Sequence, residues 1–425
     1  MNIFKHINKT TWSPELTQKA LYWACQNFPY VAYFCPQNSG YPKDGFEHLL
    51  FAGTESLPNA LHQVTDGYKV GIVGYDKKND FEDLESQNPT LLQFPKEFFF
   101  RPSLCIQIHP YGNKATLSSD FGVSLETINQ TVIATANAFA EGIRIRSMTR
   151  PDEYFSNFEK IQEHIKRGDV YELNYCQAFE GTFTSMDSLR FYAALSQKSP
   201  MPFSSYLKVD HLVLVSASPE RFLNKKGNIL LSQPIKGTSP RGKTKEEDDQ
   251  LACKLSNSEK EKAENLMIVD LMRNDLSKVG KIGSVKVEEL FGIYRFHQVI
   301  QMISSVTCVL DKKLSLGDIF KATFPMGSMT GAPKIKAMEL IDKYENFSRG
   351  WFSGALGYVT PSQDFDFNVV IRSVFLDMLK QTIYFAVGSA ITSDALVEEE
   401  YQECLLKAQA IREVLYEAQS NSQFI

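Results

Sequence analysis

Residues 353–389 read SGALGYVTPSQDFDFNVVIRSVFLDMLKQTIYFAVGS. Three runs in it, SGALGYV, FNVVIRSVFLD and TIYFAVGS, are rich in β-branched and aromatic residues and are separated by short polar turns. They read as strands that pair with their sequence neighbours. A periodic stretch over 397–418 follows and reads as a closing helix. The same mixture extends upstream. PDEYFSNFEKIQEHIKRG (151–168) carries Phe158, Ile161 and Ile165 at helical spacing and stops at Gly168. DVYELNYCQAFEGTF alternates as a strand does, and HLVLVSAS is a continuous apolar run. Residues 259–279 read as a long helix ending at Gly280, and 332–343 as a helix with Pro333 near its first position. Helices mixed with locally paired strands point to an α+β fold, not to a parallel doubly wound sheet.

Residues 1–140 read as strands and loops. CPQNSGYPKDG (35–45) packs two prolines and two glycines into a loop, while KVGIVGY and LCIQI read as buried strands. The internal seam is expected near 141–151, which divides an N-terminal region, 1–145, integrated with the core, from a main body, 146–425. The 45 basic and 50 acidic side chains leave a formal charge of −5 without a basic stripe, so no nucleic-acid partner is expected. The seven cysteines are dispersed, with no CxxC pair, and read as reduced thiols in the cytoplasm. The N-terminal MNIFKHINKTTW lacks the apolar core of a signal peptide. No apolar run approaches the ~18 residues of a membrane span.

Four segments carry candidate chemistry. Glu261 and Glu264 lie three apart on one expected helix; Glu400 and Glu403 lie three apart on another, with Lys407 four further on. Such spacings share a helix face. If the two faces met, they would form an oxygen-rich cage suited to Mg²⁺, although a Glu-rich face taken alone is more often simply solvated. GSMTGAPK (327–334) leads glycines and Thr330 into a helix start, where free N–H groups and the dipole favour an anion. A plain glycine loop with a threonine cap reads equally well, and the spacing is not that of a Walker A loop. Lys236, in PIKGTSPRG (234–242), sits in a Pro/Gly-bounded strand-turn. Buried, its pKa would fall and its amine would become a nucleophile; exposed, it is an ordinary turn lysine. Glu220, in SASPERF (216–222), ends an apolar strand, where a carboxyl near apolar surface has a raised pKa and serves as a general acid. The commoner case there is an exposed glutamate, loosely paired.

Together these segments resemble the chorismate-utilising enzymes, a family that includes anthranilate synthase component I, aminodeoxychorismate synthase component I, isochorismate synthase and salicylate synthase. GDVYELNYCQAF, SASPERF, PIKGTSPRG, AENLMIVDLMRNDL, FPMGSMTGAPKIKAMELI, GALGYV, VVIRS and EEEYQECLLKAQA carry the resemblance, in the family's order, over about residues 150–415. The N-terminal portion is less similar. The resemblance implies two large antiparallel sheets packed as a sandwich, outer helices, and an active site in a cleft. It also implies that Glu264 and Glu403 hold Mg²⁺, with Glu261 and Glu400 acting through water. Lys407 and the Gly331 backbone would help hold a substrate carboxylate, Gly388 and Ser389 would bind substrate beside them, Arg372 and Tyr358 would hold the enolpyruvyl carboxylate, and His297 and Thr330 would line the site near the leaving group.

Within the family, the lysine of PIKGT resembles the aminodeoxychorismate synthase branch; anthranilate synthases resemble PIAGT there. The implied chemistry is attack of Lys236 on C2 of chorismate with loss of the C4 hydroxyl, Glu220 as the acid, then attack of ammonia at C4. Asn174 and Gln177 fit the same branch. Glu172 stands where water-using relatives resemble KVVLAR and amine-using ones carry glutamine, a departure from both. VGSAIT (387–392) replaces a more glycine-rich segment. None of the cysteines sits in a GxCxG-like elbow, so ammonia is expected from a separate glutamine amidotransferase subunit. Anthranilate formation is the alternative activity, and a non-catalytic chorismate-binding subunit a further one.

Overall fold

A computed structural model describes residues 4–420 apart from 38–39, 111, 134–138, 298 and 312–313. Two antiparallel sheets form its centre. The larger runs His6–Thr11, Lys114–Ser119, Leu104–Ile108, Leu49–Gly53, Tyr30–Cys35, Phe203–Val209, Leu212–Ser218, Ser373–Asp377, Thr382–Ile391, Glu172–Thr182, Arg144–Ser147. The smaller runs Ile235–Pro240, Val299–Val309, Ile229–Gln233, Arg221–Lys226, Phe365–Val369, Ala355–Val359, Lys69–Val73, Glu97–Arg101, Glu55–Ser56. Both sheets draw strands from either side of residue 145.

Alternation along the strands explains the layering. Phe375 and Tyr384 of the larger sheet join Ile72, Leu356 and Phe367 of the smaller one in the core between the sheets. Their neighbours Val374, Leu376 and Phe385 face the other way and pack under Ala408, Ile411 and Leu415 of the Val397–Ser420 helix. Successive strand residues point to opposite faces, so one sheet serves two apolar layers. The expected α+β sandwich with outer helices is the observed architecture.

One expected strand is two. The run FNVVIRSVFLD splits into Phe365–Val369 in the smaller sheet and Ser373–Asp377 in the larger. The chain crosses at 370–372, where Arg372 takes a left-handed φ of 49°, uncommon for a residue with a Cβ. The crossing stays hydrogen-bonded: Val370 N donates to Gly354 O at 2.8 Å, and Ala217 N donates to Arg372 O at 3.1 Å. An apolar run cannot announce a change of sheet, because both halves are buried strands. The change puts Arg372 at the seam between the sheets.

Among the described residues no helix is long and apolar enough to cross a membrane. All seven cysteines are free thiols.

Candidate active site

An open cavity of about 1540 Å³ lies where the two sheets meet the Glu259–Ser277 and Val397–Ser420 helices. Lys236 enters it from the Ile235–Pro240 strand, Glu220 from the end of Leu212–Ser218, and Arg372 from the crossing. Glu261, Glu264, Glu400, Glu403 and Lys407 enter it from the helices.

The carboxylates arrive as their spacing requires. Ser258 caps the first helix by accepting from Glu261 N at 3.3 Å, and the next turn carries Glu264 to the same face. On the other helix Lys407 Nζ donates to Glu403 Oε1 at 2.6 Å and to the Gly388 carbonyl at 2.8 Å. Lys260 Nζ reaches across to Glu400 Oε1 at 3.7 Å. Burial pushes Glu264 up to about 7, aided by the Glu261 and Glu172 charges and opposed by Lys236. Burial, aided by the neighbouring Glu403 charge, raises Glu261 and Glu400 too. Glu403 goes the other way: burial alone would raise it, but Lys407, Lys236 and Lys260 hold it below the usual carboxylate range.

This donor set fits a hard divalent cation. It is all oxygen, it gathers four carboxylates around one cavity, and three of them are held above their ordinary range by burial and like charge, a strain that a cation relieves. Among the described residues no three His, Cys, Asp or Glu side chains close to coordinating distance. The helices bring the carboxylates together without drawing them into a finished cage.

Lys236 is buried as one reading expected, but its amine does not behave as burial alone would dictate. Its Nζ donates to Glu172 Oε1 at 2.6 Å. Burial pulls its pKa down, but the Glu172, Glu264 and Glu403 carboxylates outweigh that and hold it above the ordinary lysine value. A lysine among carboxylates is stored as ammonium, the opposite of the expected shift. Glu220 does follow expectation. Burial pushes its carboxyl up to about 7, against the hydrogen bond that Ser328 Oγ donates at 2.7 Å and the charge of Lys236. Its backbone is pinned to the crossing, since Glu220 O accepts from Val369 N at 3.0 Å. Burial lowers the Arg372 pKa, and the Glu220 charge opposes that.

Of the other expected residues, all but Gly388 lie apart from the cavity lining. Tyr358 is buried between the sheets against Phe34, Phe46 and Phe51, and its hydroxyl accepts from Glu47 N at 3.3 Å. His297 is exposed, beyond the end of the Lys286–Arg295 strand. Thr330 is fully buried and donates to the Met326 and Gly327 carbonyls at 3.1 and 3.3 Å; Pro333, not Thr330, occupies the helix N-cap. Gly331 presses on the Glu172–Thr182 strand, where a Cβ would meet Glu172 O at 2.1 Å. Gly388 lines the cavity beside Asn174. Ser389 turns away from it, within 3.3 Å of Tyr154 Oη, and hydrogen-bonds Glu400. Ser328 and Lys260 were not expected. Ser328 lies inside the quoted GSMTGAPK motif, and Lys260 directly precedes Glu261, so both were adjacent to a signal without carrying one.

A family model described as chorismate binding enzyme matches residues 35–413. Aminodeoxychorismate synthase component 1 of Escherichia coli K12 is 40% identical over 265 residues, 62% of this chain and 58% of that protein. The chain thus spans less than two thirds of that relative's length. The protein of the same name from Salmonella typhimurium is 39% identical over 372 residues, 86% of this chain and 81% of that protein. Anthranilate synthase component I from Streptococcus pneumoniae TIGR4 superposes with a TM-score of 0.73 at 25% identity, covering 89% of this chain and 91% of its own. The match across nearly the whole chain and the carboxylate-lined cavity lead to one assignment: the chain belongs to the chorismate binding enzyme family.

Proposed function

We propose that the chain is component I of an aminodeoxychorismate synthase, which converts chorismate and ammonia to 4-amino-4-deoxychorismate. The observation that carries this reading is the placement of Lys236 and Glu220 on one cavity with Arg372 and four carboxylates. The naming of the Escherichia coli and Salmonella relatives supports it. Anthranilate formation, which adds ammonia at C2 directly, gives Lys236 no task.

Glu264 and Glu403, backed by Glu261 and Glu400, would hold Mg²⁺, which supplies positive charge for the ring carboxylate of chorismate. Arg372, with a planar fork suited to a carboxylate, holds the enolpyruvyl carboxylate. Tyr358 is given no part, because it is buried in the core between the sheets and does not line the cavity. Lys407 keeps Glu403 in place and adds positive charge beside the substrate. The Lys236 amine attacks C2, the ring double bond shifts, and the C4–O bond breaks. Glu220, whose carboxyl burial pushes up to about 7 so that a large share keeps its proton at neutral pH, hands that proton to the leaving hydroxide as water forms. Ammonia then attacks C4, the double bond shifts back, and the amine of Lys236 is released. A separate glutamine amidotransferase subunit supplies the ammonia. Residues 1–145 act in this reading as part of the same folded unit as 146–425.

The test is incubation of the purified chain with chorismate, Mg²⁺ and excess ammonium salt at mildly alkaline pH, with products separated by HPLC and weighed by mass spectrometry. A 4-amino-4-deoxychorismate mass, converted to 4-aminobenzoate by added lyase, supports the reading. Fluorescent anthranilate with pyruvate overturns it.

A further inference from the structure

The geometry points to Glu172 as the proton acceptor that frees the Lys236 amine for attack, an inference that rests on the function proposed above. Lys236 Nζ and Glu172 Oε1 are 2.6 Å apart, the distance of a charge-assisted hydrogen bond already formed. Glu172 is 1% exposed, and its second oxygen, Oε2, has no hydrogen-bond partner among the described residues. A buried carboxylate oxygen without a donor costs free energy unless the group has another use.

The position of Glu172 is fixed. It opens the Glu172–Thr182 strand and shares a face with Asn174, which lines the cavity. Its backbone pairs with Ala332, and the close approach of Gly331 locks it there. The charged groups around Lys236 are Glu172 from this strand, Glu261 and Glu264 from the Glu259–Ser277 helix, Glu403 from the Val397–Ser420 helix, and Glu220 from the end of Leu212–Ser218. Among them Glu172 is the one hydrogen-bonded to the amine.

The step balances. A proton passes from the Lys236 ammonium to Glu172 Oε1, leaving a neutral amine and a neutral carboxylic acid. The amine lone pair forms the bond to C2, and the C4–O bond breaks with the proton of Glu220. When ammonia displaces the lysine, Glu172 returns its proton to the departing amine. The ion pair is restored, the new C4 ammonium passes its extra proton to Glu220, and both carboxyl groups end each turnover as they began.

Glu172→Gln keeps the shape, removes the acceptor and installs the residue that amine-using relatives carry here, so it reads what this chain's own carboxylate contributes. At neutral pH its kcat for 4-amino-4-deoxychorismate should fall on the order of 100-fold, with the KM for chorismate changed less than about 3-fold. With free ammonia held constant, the ratio of variant to wild-type kcat should climb about tenfold per pH unit, because solvent then removes the proton. Glu172→Asp, which keeps a carboxylate, should recover part of the loss, and tests the idea should the glutamine variant fold poorly. A glutamine variant with wild-type kcat would overturn the inference. So would a loss that raises KM and is unmoved by pH, or an aspartate variant no better than a folded glutamine one. If the wild type forms anthranilate, the proposed function itself falls. If it forms 4-amino-4-deoxychorismate and loses it on Lys236→Ala but not on Glu172→Gln, the role of Glu172 alone falls.

Discussion

Ser328 donates a hydrogen bond to Glu220 at 2.7 Å, and burial still holds that carboxyl near 7. The two effects oppose each other, and burial wins. The result is a carboxyl that still holds its proton in a large share of molecules at neutral pH, on the cavity that also holds Lys236.

Glu220→Gln separates stability from activity. The folded pKa, about 7, lies above the ordinary 4.5. Its stabilising contribution is therefore complete below about 4.5 and is lost as pH rises through about 7. Above that the wild type carries a buried charge that glutamine lacks. The variant should equal the wild type near pH 4.5 and exceed it at pH 8 by up to about 3 kcal/mol, read as a higher Tm. Its amination rate should fall on the order of 100-fold. Wild-type kcat at fixed free ammonia should decline as pH rises through about 7.

Lys236→Ala removes the nucleophile. C4 amination should fall by at least about 10³-fold while the fold survives. Steady-state product formation checks this, and a variant with full activity would show the covalent route to be wrong.

Glu403→Gln acts on the cation. Glu403 is held ionised by Lys407 at 2.6 Å. The neutral amide should weaken Mg²⁺ dependence by at least about 10-fold in the half-saturating concentration and abolish turnover at ordinary Mg²⁺. Titration of activity against Mg²⁺ reads it, and unchanged turnover would remove Glu403 from the metal assignment.

Gly388→Ala tests the tight seam beside the cavity. A Cβ there would meet Cys176 Sγ at 2.4 Å, Asn174 Oδ1 at 2.7 Å and the Tyr175 carbonyl at 2.9 Å. Two strands must part to admit it, at a cost of about 1–3 kcal/mol. A lower Tm with a raised chorismate KM is expected.

Much of this was legible in the sequence because the informative features are local. Glu261 with Glu264, and Glu400 with Glu403 and Lys407, fall on common helix faces by spacing alone. The motifs that carry the resemblance also place Lys236 and Glu220. What the sequence withheld is long-range. The split of FNVVIRSVFLD between two sheets depends on partners far along the chain, so the position of Arg372 at their junction could not be read from it. That Tyr358 and His297 lie apart from the cavity lining was unreadable for the same reason: a strand residue's face and a turn's exposure are settled by packing. The sign of the Lys236 shift depended on Glu172, 64 positions away, whose carboxylate reverses the effect of burial.

The most direct measurement is NMR of the product formed from chorismate and ¹⁵N-ammonium by the purified chain with Mg²⁺. Nitrogen coupled to C4, with the enolpyruvyl group retained, is the expected result. Nitrogen on an aromatic ring at C2, with free pyruvate, would contradict it.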